Sequence, residues 1–115
     1  MLALDDVQEL GEEQMKVQLS GEGLLTKITK LMDPATAVGE YIGLTLIEPH
    51  AAEPLAAALK TTYERDPQLY YEDGFEEYAT SLGGRISTSP IGDVEWVEVD
   101  DHADLAQARE VACRC

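Results

Sequence analysis

Apolar and polar residues alternate over Met15-Lys16-Val17-Gln18-Leu19, the period of a half-buried strand. The glycine-bearing turn Ser20-Gly21-Glu22-Gly23 follows, and then Leu24–Leu31 reads as a second strand, so the two predict an antiparallel hairpin. Asp33-Pro34 breaks the pattern, because proline and the residue before it resist continued regular structure. Gly39–Ile47 is β-branched and aromatic, which favours a strand; its nearly continuous apolar second half predicts burial on both faces. Gly39 and Gly43 in this strand mark a bulge or a close approach by another backbone or a ligand.

Pro49 to about Arg65 is alanine-rich and predicts a helix, with Leu55, Leu59 and Tyr63 as its apolar stripe. Asp66-Pro67 ends it. A second helix is expected from about Glu72 to Leu82, since Phe75, Tyr78, Ala79 and Leu82 follow helical spacing and Gly83-Gly84 supplies a left-handed stop. Ile86–Ile91 is a short extended piece whose Pro90 suits a sheet edge. Gly92-Asp93 turns the chain into Val94–Val99, read as a strand, and Ala103–Ala112 predicts the last helix with Leu105, Ala108 and Val111 or Ala112 inward. The expected class is α/β with a mixed sheet. A buried-looking strand at Gly39–Ile47 wants neighbours on both sides, and these elements cover only part of such a sheet. The chain therefore reads as part of a larger fold.

The 115 residues make one domain at most. Their 44% hydrophobic content is enough for a core, which excludes a disordered chain. Twenty-three acidic residues against 8 basic give a net charge of −15. That argues against nucleic acid as a partner, which demands basic surface, and against an anionic membrane. A nucleotide stays compatible, because one metal ion and a lysine or two neutralise a triphosphate locally. No apolar run approaches the roughly 20 residues that span a bilayer, and Met1–Asp6 lacks the basic start and apolar core of a signal peptide. The only cysteines, Cys113 and Cys115, are too close for a good mutual disulfide and too few for a zinc site. These features point to the cytoplasm.

The candidate chemistry centres on Val94–Leu105, where two adjacent acids, Asp100 and Asp101, stand between a strand and a helix. In open α/β sheets, ligands bind beyond the carboxyl ends of strands. Asp100 is placed there and reads as a metal ligand or as a helix cap. Asp101 lies three residues before Asp104, the spacing of a capping box. Glu98 shares a strand face with Asp100 and either orients a metal-bound water or faces solvent. Lys27 and Lys30 close the second strand of the hairpin. His50 and His102 lie near helix starts with no cysteine or second histidine at ligand spacing, which favours structural or surface roles.

Three stretches, Gly39-Glu40-Tyr41-Ile42-Gly43-Leu44, Leu69-Tyr70-Tyr71-Glu72-Asp73-Gly74-Phe75, and Trp96-Val97-Glu98-Val99-Asp100 with Asp104-Leu105, resemble the C-terminal half of a nucleotidyltransferase. The group is that of the phosphocholine cytidylyltransferases and sugar-1-phosphate nucleotidyltransferases, and the similarity runs from about Glu12 to Arg109. The resemblance implies a Rossmann-like fold and a Mg²⁺-dependent reaction. A phosphate monoester such as phosphocholine or a sugar 1-phosphate attacks a nucleoside triphosphate, CTP favoured, and pyrophosphate leaves. It implies Asp100 as a metal ligand and Lys30 as the catalytic lysine near the acceptor phosphate. Glu40, Tyr41, Gly43, Glu72 and Asp73 would line the acceptor pocket, where a carboxylate and an aromatic face suit a quaternary ammonium. Core packing of Tyr41 and a helix start at Tyr71–Asp73 are the plainer readings. The family's glycine-rich triphosphate loop and first metal aspartate have no counterpart here. The expected unit is the acceptor- and metal-binding half, completed by an N-terminal half, a complementary subunit or a homodimer. The alternative is a non-catalytic module acting through oligomerisation or ligand binding.

Overall fold

Leu2 and Leu4 alternate with Ala3 and Asp5 at the start of the chain, and this four-residue run forms a strand that the sequence reading passed over. The computed structural model describes all 115 residues. The five strands are β1 (Leu2–Asp5), β2 (Lys16–Leu19), β3 (Leu25–Thr29), β4 (Gly39–Thr45) and β5 (Thr88–Pro90). The helices are α1 (Pro49–Arg65), α2 (Tyr71–Ser81) and α3 (His102–Arg114), with a short 3-10 turn at Pro34–Thr36. The sheet order is β3-β2-β4-β1-β5. The β1–β5 pair is parallel and the other pairs are antiparallel, so the architecture is a mixed α/β fold on a mixed sheet.

The hairpin forms as its alternation demands, with Val17 opposite Ile28 and Gly23 supplying the positive φ its turn needs. β4 has neighbours on both sides: Glu40 pairs with Asp5 on β1 and with Lys16 on β2. At Gly39 a Cβ would lie 2.5 Å from the Asp5 carbonyl oxygen, so only glycine permits this approach of β1 and β4. Gly43 has φ +89°, and the β1–β4 register slips between Leu2 and Leu4, which places a bulge there. The sheet also curls. The Leu25 amide donates to the Ile86 carbonyl at 2.8 Å and the Leu2 amide to that of Ser87 at 2.9 Å, so the run into β5 bridges to the far end of the strand order.

One apolar cluster joins the sheet to α1 and α2. Leu2, Val17 and Ile28 are at most 1% exposed, and burial of each contributes about 2 kcal/mol. In α1 the buried stripe is Leu55, Ala58 and Thr62. Tyr63 is exposed, in contrast to the expected stripe, because it stands about 80° around the helix from Leu55. In α2, Phe75 and Tyr78 face inward, and the Gly84 amide closes the helix by donating a hydrogen bond to the Tyr78 carbonyl at 2.9 Å. Leu82 is exposed. Glu76 accepts from the Ile28 amide at 3.0 Å and so satisfies the outer edge of β3.

Two further expectations are corrected. The second half of the Gly39–Ile47 stretch is not buried on both faces: Leu44 and Leu46 are 66% and 60% exposed. β2 pairs with β4 only at Gly39 and Glu40, and the bulge turns the remainder outward. Val94–Val99 is not a strand. Pro90 and the positive φ of Gly92 end the ladder, and the amide of Ile91, bonded to the Leu4 carbonyl, is the last to reach β1. No helix is long and apolar enough to cross a membrane.

Candidate functional site

Five parts of the chain, the loop before β2 with Glu13 and Gln14 among them, wall a cavity of about 560 Å³. β4 contributes Glu40, Tyr41 and Gly43; the end of the hairpin contributes Lys30; the start of α2 contributes Tyr70, Tyr71 and Glu72; the run into α3 contributes Trp96, Glu98, Asp100 and Asp104. Six carboxylates face the cavity, counting Glu13, against the single amine of Lys30. The walls therefore favour a cation, or an anion that arrives with one.

The floor is fixed by a residue that the sequence did not single out. Lys16 is fully buried, and its ammonium donates to the carbonyls of Lys30 at 2.6 Å, Gln14 at 3.0 Å and Glu12 at 3.2 Å. These charge-assisted bonds clamp the loop before β2 to the end of β3. Lys16 stands at a polar position of the alternating strand, so nothing local marks it for burial. Next to it, Glu40 has its pKa raised to about 7. Burial is the largest cause, the negative charges of Asp5 and Glu98 add to it, and Lys16 opposes it.

Tyr41 is 5% exposed, and its hydroxyl pairs with that of Thr45 at 2.6 Å and accepts from Tyr71 at 3.3 Å. Its ring meets those of Tyr71 and Phe75 edge to face, so it is both core and cavity wall. Burial pushes the Tyr71 phenol up, and the Tyr41 hydroxyl reinforces this. Glu72 is 9% exposed, one of its carboxylate oxygens is buried without a partner, and burial raises its pKa. Lys30 lies 5.5 Å from the Tyr70 ring centre and 4.0 Å from Glu13. Asp73 is not part of this wall: its carboxylate accepts from the Tyr70 amide at 2.9 Å and caps α2.

The two adjacent acids separate cleanly. Asp101 caps α3 by accepting from the Asp104 amide at 2.8 Å, while Asp104 accepts from the amides of Asp100 and Asp101 at 3.0 and 3.2 Å. The Asp100 carboxylate takes no part in this box and, like that of Glu98, is exposed at the cavity. No group of three or more acid, histidine or cysteine side chains stands ready to enclose a metal. Two free carboxylates beside open space suit Mg²⁺, which takes one or two protein oxygens and completes its shell with water and phosphate; they do not suit a closed zinc site.

Asp5, also unforeseen, is 3% exposed at the end of β1. One oxygen accepts from the Val7 and Gln8 amides at 2.9 and 3.1 Å, and the other from the Trp96 indole at 2.7 Å. Burial alone would raise its pKa, but these hydrogen bonds outweigh burial and hold it below the ordinary value. No family model matches the chain, and no curated protein matches it.

Proposed function

We propose that this chain is the acceptor- and metal-binding half of a Rossmann-like, Mg²⁺-dependent nucleotidyltransferase of the cytoplasm. The reaction joins a nucleoside triphosphate, CTP favoured, to a phosphate monoester such as phosphocholine or a sugar 1-phosphate and releases pyrophosphate. One observation carries the reading. The three stretches that resemble the family are separated by tens of residues, yet each contributes to the wall of one cavity: Glu40, Tyr41 and Gly43 from the first, Glu72 from the second, Glu98 and Asp100 from the third.

In this reading Glu98 and Asp100 hold Mg²⁺, which neutralises phosphate charge when bound. Lys30 faces the acceptor phosphate, and its ammonium offsets charge on the attacking oxygen. Tyr41, Tyr70 and Tyr71 with Glu40 and Glu72 receive the rest of the acceptor, and this acid and aromatic lining favours a cationic group over a neutral sugar. The triphosphate loop is assigned to a companion half or subunit. The test is calorimetric titration of the chain with phosphocholine and with glucose 1-phosphate, each with and without Mg²⁺. Binding of phosphocholine that strengthens with Mg²⁺ is the expected result; no binding of either compound under any condition refutes the reading.

A second reading, a non-catalytic module acting through self-association, is favoured by the exposed Leu44, Leu46 and Ile47. Sedimentation separates the two: a dimer that binds neither phosphate ester supports the module.

A further inference from the structure

The run from Gly92 to Asp100 carries the proposed metal carboxylates but makes no backbone hydrogen bond to any strand. Three side-chain links hold it, one of them from the Asp100 amide to the Asp104 carboxylate of α3 at 3.0 Å. Glu95 pairs with Arg114 at 2.7 Å, which ties it to α3, a helix with no buried residue of its own. Trp96 donates to Asp5 at 2.7 Å, and this is its one hydrogen bond to the sheet. Asp5 is built to receive it: its other oxygen is occupied by the Val7 and Gln8 amides, so the carboxylate cannot rotate away without breaking those bonds. The acceptor is also the cross-strand partner of Glu40, so the indole is anchored on the strand next to the cavity's own.

We propose that Asp5 is a positioning residue that acts through Trp96, locking the Glu98 and Asp100 carboxylates over the cavity so that they bind a divalent cation together. This rests on the functional reading above. Asp5 does not line the cavity, whereas Trp96, Glu98 and Asp100 do. Without the lock, the two carboxylates ride on a segment with no ladder, and their geometry must be ordered at each binding event. Partners that orient metal ligands in this way are worth about 10- to 100-fold in affinity.

Trp96 is the only tryptophan, so its fluorescence reports the lock directly. The experiment measures Mn²⁺ affinity by electron paramagnetic resonance, and acrylamide quenching of Trp96 without metal. Mn²⁺ affinity is compared among wild type, Asp5→Asn, Trp96→Phe and the double variant, and quenching between wild type and Asp5→Asn, all well below their unfolding midpoints. Asp5→Asn keeps an oxygen for the Val7 and Gln8 amides and turns an amide group toward the indole. Trp96→Phe keeps an aromatic ring and removes the indole N–H together with part of the ring's volume.

The expected result is a loss of Mn²⁺ affinity of about tenfold in each single variant. The double variant should be no weaker than either, because both remove the same link. Asp5→Asn should also make Trp96 about twice as quenchable, an increase read within one fold and not expected from lost stability alone. Wild-type affinity in both single variants, or fully additive losses, overturns the proposal. If wild type binds no Mn²⁺, the functional reading falls, and with it the part of the proposal that concerns cation binding. Unchanged quenching in Asp5→Asn overturns the lock itself.

Discussion

Glu40→Gln is the most informative single change, because its effect must depend on pH in a direction fixed by the structure. Glu40 ionises near its ordinary value of 4.5 in the unfolded chain and near 7 in the fold. The folded protein thus holds this proton more tightly. The contribution to stability is fully present below about pH 4.5 and is lost as pH rises through about 7. At about 1.4 kcal/mol per pKa unit the full swing is roughly 3 kcal/mol. Solvent screening of a half-buried carboxylate reduces this to about 1.5 kcal/mol. Glutamine cannot ionise and retains the shape. Urea unfolding of both proteins at about pH 4.5 and about pH 8 should show the variant gaining about 1.5 kcal/mol on wild type between the two. A stability difference that is the same at both pH values refutes the account of Glu40, and with it the crowding of Asp5, Glu40 and Glu98 around one spot.

Lys16→Met keeps the aliphatic stem but strips three carbonyls of their donor, and should destabilise the chain by about 2–3 kcal/mol in the same urea assay. Gly39→Ala drives a methyl into the Asp5 carbonyl oxygen, and the melting temperature should fall by about 10 °C or the chain should fail to fold. Asp101→Ala removes the cap of α3 and should cost about 1 kcal/mol of helix stability, read as loss of far-ultraviolet dichroism.

Local chemistry was legible and non-local pairing was not. The bounds of α1, the hairpin, the Gly43 bulge and the Asp101–Asp104 box all follow from residues within a turn or two of each other. β1 escaped notice because only Leu2 and Leu4 mark its alternation; its status as a strand comes from β4 and β5, about 40 and 85 residues away. Val94–Val99 carries a strand's composition, but Pro90 and Gly92 have already led it off the sheet edge, and β propensity without a partner edge makes no strand. In the cavity, the residues named from sequence were found because they sit in compact motifs. Asp73 was drawn in by the same motif although its carboxylate is spent on a cap. Lys16 and Asp5 were missed because their roles exist only once strands have paired and Trp96 has come across the sheet.

The central claim is that Asp100, and not its neighbour, binds the metal that serves the phosphate ester. Calorimetric titration of phosphocholine with Mg²⁺ into wild type, Asp100→Asn and Asp101→Asn tests it most directly. Asparagine caps helices as well as aspartate, so Asp101→Asn should bind within about twofold of wild type. Asp100→Asn should lose about tenfold or more. Equal losses in the two variants, or none in Asp100→Asn, would contradict it.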